Sequence, residues 1–302
     1  MSVVPDRGHL LTEQRNPRTA ELHRLGVREL VRTFREEDRA VLDAMASAED
    51  AIASLIEAAE PGFCRGGRLI YLGAGTSGRL GVLDASEAPP TFQVETGRVV
   101  GLIAGGDAAL KKSSEHREDE PLGAVADLES LGTTSDDTVI GIAAGGTTPY
   151  VLGGLEWCSG RADRPTTAMI CCTPIATPRG VDHLIVLPTG AEVLTGSTRM
   201  KAGTATKLTL NTISTSLMIR SGRVYGNLMV DLRATNAKLR DRAARIVSEL
   251  TGLGRDESFA LLDAADGEVK TAAVMHVKRV DATAARAALD QTDGRLDRVL
   301  GA

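Results

Sequence analysis

Residue patterning places this chain among α/β proteins: a doubly wound parallel sheet, preceded by helices and followed by a small three-helix tail. Five short apolar runs recur between residues 66 and 220, each bounded by glycine or polar residues, as buried parallel strands are. Helix-length stretches separate the runs, so strand and helix alternate. Two of the runs end in loops of glycine and hydroxyl residues that lead directly into a helix, an arrangement suited to binding an anion. With 302 residues, the chain is long enough for one large domain and a small one.

Residues 1–18 are polar, contain Pro5 and Pro17, and show no periodicity; they read either as an extended arm or as a loose terminus. From 19 to 59 the apolar positions take helical spacing, with Leu22, Leu25, Val27 and Leu30, then Val41, Ala44 and Met45, then Ile52, Leu55 and Ile56. That spacing predicts two or three helices packed on the main domain. The first strand covers 69–72. Gly73, Gly75 and Gly78 follow it and allow a tight turn and close approach of a ligand. Thr76 and Ser77 fall at the start of the next helix, where hydroxyls beside unpaired backbone N–H groups suit a phosphate. Ala88-Pro89-Pro90 should stop that helix. Leu80, Leu83 and Glu87 are spaced i, i+3, i+7, which puts the Glu87 carboxyl on an apolar stripe. Desolvation and the negative helix end would both raise its pKa and fit it to act as a general acid. The plain alternative is a helix-terminal glutamate that reaches solvent.

The second strand, 99–104, ends in Gly105-Gly106-Asp107, and a helical, acidic stretch broken near Pro121 occupies 108–131. Glu115, Glu118, Asp119 and Glu120 lie within it, either as a solvated face or as a substrate-facing patch. The third strand, 138–143, runs into Ala144-Gly145-Gly146-Thr147-Thr148-Pro149, the second glycine and hydroxyl loop. Strands at 167–172 and 184–187 complete the sheet. Ligands of such sheets bind at the C-terminal strand ends, where both loops fall, so both loops should converge on one ligand. An irregular loop, 189–199, then feeds a helix at 200–218. Its Ser197, Thr198, Arg199 and Lys201 read equally as a second anion site or as a helix cap with solvated cations. Residues 223–229 read as a loop with an aromatic, and 231–250 as an arginine-rich helix. Gly252 and Gly254 mark a hinge, after which helical patterns recur around Phe259, at 269–277 and at 284–289. The expected divisions are therefore 1–60 for the arm and helices, 61–250 for the ligand domain and 251–302 for the tail.

Composition excludes several classes. A net charge of −5 and only 3% aromatic residues argue against a nucleic-acid binder. No apolar run approaches the roughly 20 residues that span a bilayer, and a signal-peptide core is missing, so no membrane partner is expected. Cys64, Cys158, Cys171 and Cys172 lack zinc spacing and read as buried thiols of a reducing cytoplasm. The five histidines are scattered, so no metal site is expected. Gly73-Ala-Gly75-Thr-Ser-Gly78 also fits the dinucleotide fingerprint. The acidic residue that would hold a ribose, Asp107, lies beyond a Gly-Gly pair rather than on the strand, and the hydroxyls suit a phosphomonoester better. No G-x-S-x-G elbow supports a serine triad.

Several of these runs together resemble the N-acetylmuramic acid 6-phosphate etherases, a family built on the sugar-isomerase (SIS) domain. They are Thr12-Glu13-Gln14-Arg15-Asn16-Pro17, the stretch 72–92 from Leu-Gly-Ala-Gly-Thr-Ser-Gly-Arg through Glu87 to Phe92, and Gly101-Leu-Ile-Ala-Gly-Gly106, joined by Leu194-Thr-Gly-Ser-Thr-Arg-Met-Lys-Ala-Gly-Thr-Ala205 and Val224-Tyr-Gly-Asn-Leu-Met-Val-Asp231. The last fifty residues are similar to the ubiquitin-associated-like tail of many members. The resemblance implies a cytoplasmic homodimeric lyase that removes D-lactate from the C3 ether of a sugar phosphate in peptidoglycan recycling. It implies Glu87 as the acid on the departing oxygen and Glu118 as the base at C2. The implied substrate contacts are Gly75, Thr76, Ser77 and Gly78, then Gly145, Gly146, Thr147 and Thr148, then Ser197 and Thr198. Two carboxyl groups of opposite protonation suffice for such an elimination, so no cofactor is expected. The family usually has Ala-Ser-Gly-Arg-Thr-Pro-Tyr at the second loop, so a serine hydroxyl and an arginine are absent at 145–147 here. A non-catalytic sugar-phosphate sensor and an aldose–ketose isomerase are the alternatives.

Overall fold

The computed structural model describes residues 6–112, 115–232 and 236–301. Five parallel strands form one sheet: β1 (Leu69–Gly73), β2 (Val99–Ile103), β3 (Thr138–Ile142), β4 (Thr166–Cys171) and β5 (His183–Val186), in the order β2-β1-β3-β4-β5. Every residue of β1 and β3 is buried, which their uninterrupted apolar character requires of central strands covered on both faces. The order reverses between β1 and β3. At such a switch point the outgoing chains leave for opposite faces and open a crevice above the two strand ends. The two glycine and hydroxyl loops are the chains that leave there.

Helices α1 (Val27–Glu37), α2 (Ala40–Ser47) and α3 (Glu49–Cys64) precede the sheet. Helix α4 (Gly75–Phe92) leaves β1, and α8 (Pro149–Ser159) leaves β3 after the short helices α5 (Ala108–Lys111), α6 (Glu115–Glu118) and α7 (Val125–Leu131). Helix α9 (Lys201–Arg220) follows the sheet. One core joins Ile70, Leu72, Val139 and Met169 of the strands to Tyr150, Val151 and Leu155 of α8. Packing divides the chain into two compact units. The first comprises residues 1–86 and 97–214, the second 87–96 and 215–302.

The second unit holds a two-residue hairpin, β6 (Val224–Tyr225) and β7 (Leu228–Met229), then α10 (Ala237–Thr251), α11 (Arg255–Ala264), α12 (Val269–Lys278), α13 (Ala282–Asp290) and α14 (Leu296–Leu300). Its own core is built from Val247, Leu262, Val269, Ala272, Val274 and Leu296.

The structure departs from the sequence reading in five places. The acidic stretch 108–131 is three short helices rather than one broken helix. Residues 223–229 contain a hairpin turned at Gly226, whose φ is +57°. A fourth short helix, α14, follows the three expected in the tail. The segment from Leu10 to Thr19 is neither extended nor loose: it folds as 3-10 turns and buries Leu10, Thr12, Asn16 and Thr19. Finally, α4 does not stop at its prolines. Pro89 and Pro90 lie inside it, and the helix ends at Gln93, where φ is +52°. A proline removes its own amide but leaves its carbonyl, and the Pro89 carbonyl still accepts from Gln93 N at 2.9 Å, so the last turn closes.

Candidate active site

Above the ends of β1 and β3 lies a cavity of about 440 Å³, wholly within the first unit. Its size falls in the range of small-molecule sites. Gly75, Thr76 and Ser77 line it from the first loop, and Gly145, Thr147 and Thr148 line it from the second. Glu118 enters from α6 and Thr198 from the loop before α9.

Local geometry explains the first loop. Gly75 has φ +53°, a conformation that glycine adopts without steric penalty. It is also the first residue of α4, so Thr76 and Ser77 occupy the opening turn of the helix rather than capping it. Their amides have no carbonyl four residues back within the helix, and the helix dipole adds positive potential at that end. Gly78 packs so closely that a Cβ would lie 2.6 Å from Ile103 Cγ1 and 2.7 Å from the Gly73 carbonyl oxygen. The second loop enters α8 through Thr148, with Pro149 at the first helical position.

Of the remaining expected residues, Gly78, Gly146 and Ser197 lie outside the cavity lining. Gly78 is a packing residue, and Gly146 has φ +74° beneath Ile175. Glu87 lies three turns further along α4 and is exposed. Its expected apolar stripe does not face a core in the single chain, because Leu83 is 44% exposed. The desolvation argued from spacing is therefore absent there.

Sequence patterning had no means of finding the rest of the lining. Arg7, Leu10, Thr12 and Glu13 come from the N-terminal segment, and Arg79 from α4. Arg79 spans to α5, its Nε donating to the Leu110 carbonyl at 3.1 Å and its Nη2 to that of Ala109 at 2.8 Å.

The N-terminal segment is held by a buried ionic hub. Glu37, at the end of α1, accepts from Asn16 Nδ2 at 2.7 Å, from Arg18 Nη2 at 2.9 Å and from Lys201 Nζ at 3.1 Å. Asn16 also donates to the Ala191 carbonyl at 3.3 Å, and Thr19 Oγ1 to that of Val193 at 2.8 Å. Arg18, with Asn16 and Lys201, outweighs burial and holds the Glu37 carboxyl down at about 2. Glu192 caps α9, its two oxygens accepting from the amides of Lys201 at 3.0 Å and Ala202 at 2.9 Å. Burial still leaves its carboxyl above the ordinary range. A second buried group ties β1 to the helices: Tyr71 donates to Asp84 at 2.8 Å, and Ser214 donates to the other Asp84 oxygen at 3.2 Å. Burial, reinforced by the Asp84 charge, pushes the Tyr71 phenol well up. Among the described residues no cluster of histidine, cysteine, aspartate and glutamate is arranged to hold a metal ion. Among the described residues no helix is long and apolar enough to cross a membrane.

A parallel sheet with paired glycine and hydroxyl loops at its switch point, and a carboxylate in the same cavity, marks a protein of the SIS class. Residues 49–159 match the model of the glucokinase regulatory protein N-terminal SIS domain. The chain belongs to the N-acetylmuramic acid 6-phosphate etherase family. It is 51% identical to the etherase of Synechococcus sp. (strain CC9902), covering 96% of this chain and 92% of that one. Against the etherase of Mycolicibacterium smegmatis the identity is 48%, over 98% of this chain and 99% of that one. Among solved structures, a phosphoheptose isomerase from Neisseria gonorrhoeae aligns at 15% identity with a TM-score of 0.46, over 63% of this chain and 97% of that one.

Proposed function

We propose that the protein cleaves the C3 lactyl ether of N-acetylmuramic acid 6-phosphate, yielding N-acetylglucosamine 6-phosphate and D-lactate, a carbon–oxygen lyase step in cell-wall recycling. The observation that carries the site assignment is the single cavity into which both hydroxyl loops and Glu118 project. Opening of the sugar ring exposes an aldehyde that acidifies the C2 proton. Glu118 takes that proton, Glu87 protonates the departing C3 oxygen, and water then adds at C3, which balances the overall hydrolysis. The phosphate, held by Thr76, Ser77, Thr147 and Thr148 away from the bond that breaks, supplies binding energy that orients the sugar. Thr198 supports the same end, and the three lining glycines let the backbone approach. Gly78, Gly146 and Ser197 act by shaping the loops.

Glu87 is exposed and outside the lining, so the reading includes a homodimer in which the partner subunit's Glu87 meets the sugar. The division of the chain near 60 and 250 is likewise part of this reading, as is a cytoplasmic location. The purified protein, incubated with N-acetylmuramic acid 6-phosphate in ¹⁸O-labelled water, should release lactate and carry the label at C3 of the sugar. Binding without lactate release would point to a sensor, and interconversion of aldose and ketose to an isomerase.

A further inference from the structure

Thr12 is fully buried, and its Oγ1 has no hydrogen-bond partner among the described residues. A hydroxyl kept dry and unpaired lowers stability, and valine would fill the same space without that penalty. Thr12 nevertheless belongs to the lining of the 440 Å³ cavity. Its Oγ1 lies 3.7 Å from the point that a Cβ on Gly145 would occupy, and Thr147 Oγ1 lies 3.8 Å from that point. Two hydroxyls, from segments far apart in sequence, thus face one spot on the second loop.

Thr12 is also held firmly. It sits in the 3-10 turn Leu11–Glu13, with Glu13 N donating to the Leu10 carbonyl at 3.0 Å. Four residues on, Asn16 is anchored to Glu37 and to the Ala191 carbonyl. The hub therefore fixes where the hydroxyl points before any ligand arrives, which is the condition for a hydrogen bond that needs little further ordering.

We propose that Thr12 is a substrate-binding residue whose hydroxyl, presented by the N-terminal segment, hydrogen-bonds the sugar phosphate beside Gly145 and Thr147, with Glu37 as the positioning residue behind it. This rests on the assignment of a sugar phosphate to the cavity. Calorimetric titration of the wild type, Thr12→Val and Thr12→Ser with N-acetylglucosamine 6-phosphate tests it. Thr12→Val should weaken binding about tenfold while its Tm stays level or rises, and Thr12→Ser should bind within about threefold of wild type. A packing role predicts the opposite ranking, with valine tolerated and serine impaired, and would overturn the proposal. Wild-type binding matched by Thr12→Val would overturn this inference alone. A wild type that binds no N-acetylglucosamine 6-phosphate would remove the sugar-phosphate reading and this inference with it.

Discussion

Replacing Glu37 by glutamine should destabilise the first unit by about 3 kcal/mol, because it takes from the buried Lys201 ammonium the carboxylate it is hydrogen-bonded to. The Lys201 side chain is 1% exposed and that of Glu37 6%, so water cannot take over the lost partner. Acidity gives the same size independently. The Glu37 carboxyl moves from its ordinary 4.5 to about 2, which corresponds to about 3 kcal/mol of folded-state preference for the charged form. Solvent screening around Arg18, whose side chain is 71% exposed, makes that an upper figure. The sign follows from the direction. A lowered folded-state pKa contributes fully above 4.5 and is lost as pH falls towards 2, so the wild type should lose stability more steeply over that window than Glu37→Gln, in which only the other low-pKa carboxyls such as Asp137 and Asp182 titrate. Trp157, the one tryptophan, lies in α8 of the first unit and reports its unfolding by fluorescence in urea. With a slope of about 3 kcal/mol per molar, the midpoint should drop by about 1 M. Adding Lys201→Met should recover part of the loss, since removing both charges avoids the orphaned ammonium. A midpoint shift below about 0.3 M, or additive single and double variants, would refute the hub.

The other expectations concern catalysis and packing. If Glu87 and Glu118 meet across a dimer, an equal mixture of refolded Glu87→Gln and Glu118→Gln chains should regain about a quarter of wild-type lactate release, since half the dimers carry one intact site of two; no recovery would place both groups in one subunit. Gly78→Ala should lower stability by about 1–3 kcal/mol, because its Cβ would sit 2.6 Å from Ile103. Gly145→Ala should fold with a Tm within about 2 °C of wild type, its nearest neighbour being Leu10 at 3.4 Å, yet bind sugar phosphate more weakly as calorimetry would read it. Cys64 is exposed, while burial pushes the Cys171 thiol up to about 11 and those of Cys158 and Cys172 to about 12, so a thiol reagent should label one cysteine in the native protein and four after denaturation.

The sheet was legible because its signals are local. Each strand is a short apolar run closed by glycine or polar residues, and the two loops that line the cavity read directly from glycines and hydroxyls at a strand end. What sequence could not reveal is non-local. Glu37 and Lys201 lie 164 residues apart, and nothing in the spacing of either announces the other. Thr12 and Asn16 sit in a segment without periodicity, so their burial follows only from that distant carboxylate. Glu87 shows the converse limit. Its i, i+3, i+7 spacing with leucines is real, but periodicity places residues on a shared face without telling whether anything covers that face. At Pro89 and Pro90 a rule about helix ends gave way because a proline forbids only its own amide bond.

Those two prolines bear on how the turn that carries Glu87 can move. The amides missing at 89 and 90 are the ones that would have tied down the carbonyls of Ala85 and Ser86, the two residues immediately before Glu87. Here the ladder of the helix skips two rungs in succession. A small swing of that turn therefore breaks no amide-to-carbonyl link at those steps, and the Glu87 carboxylate can be repositioned more cheaply than on an unbroken coil, a freedom that the two roles proposed for it would draw on.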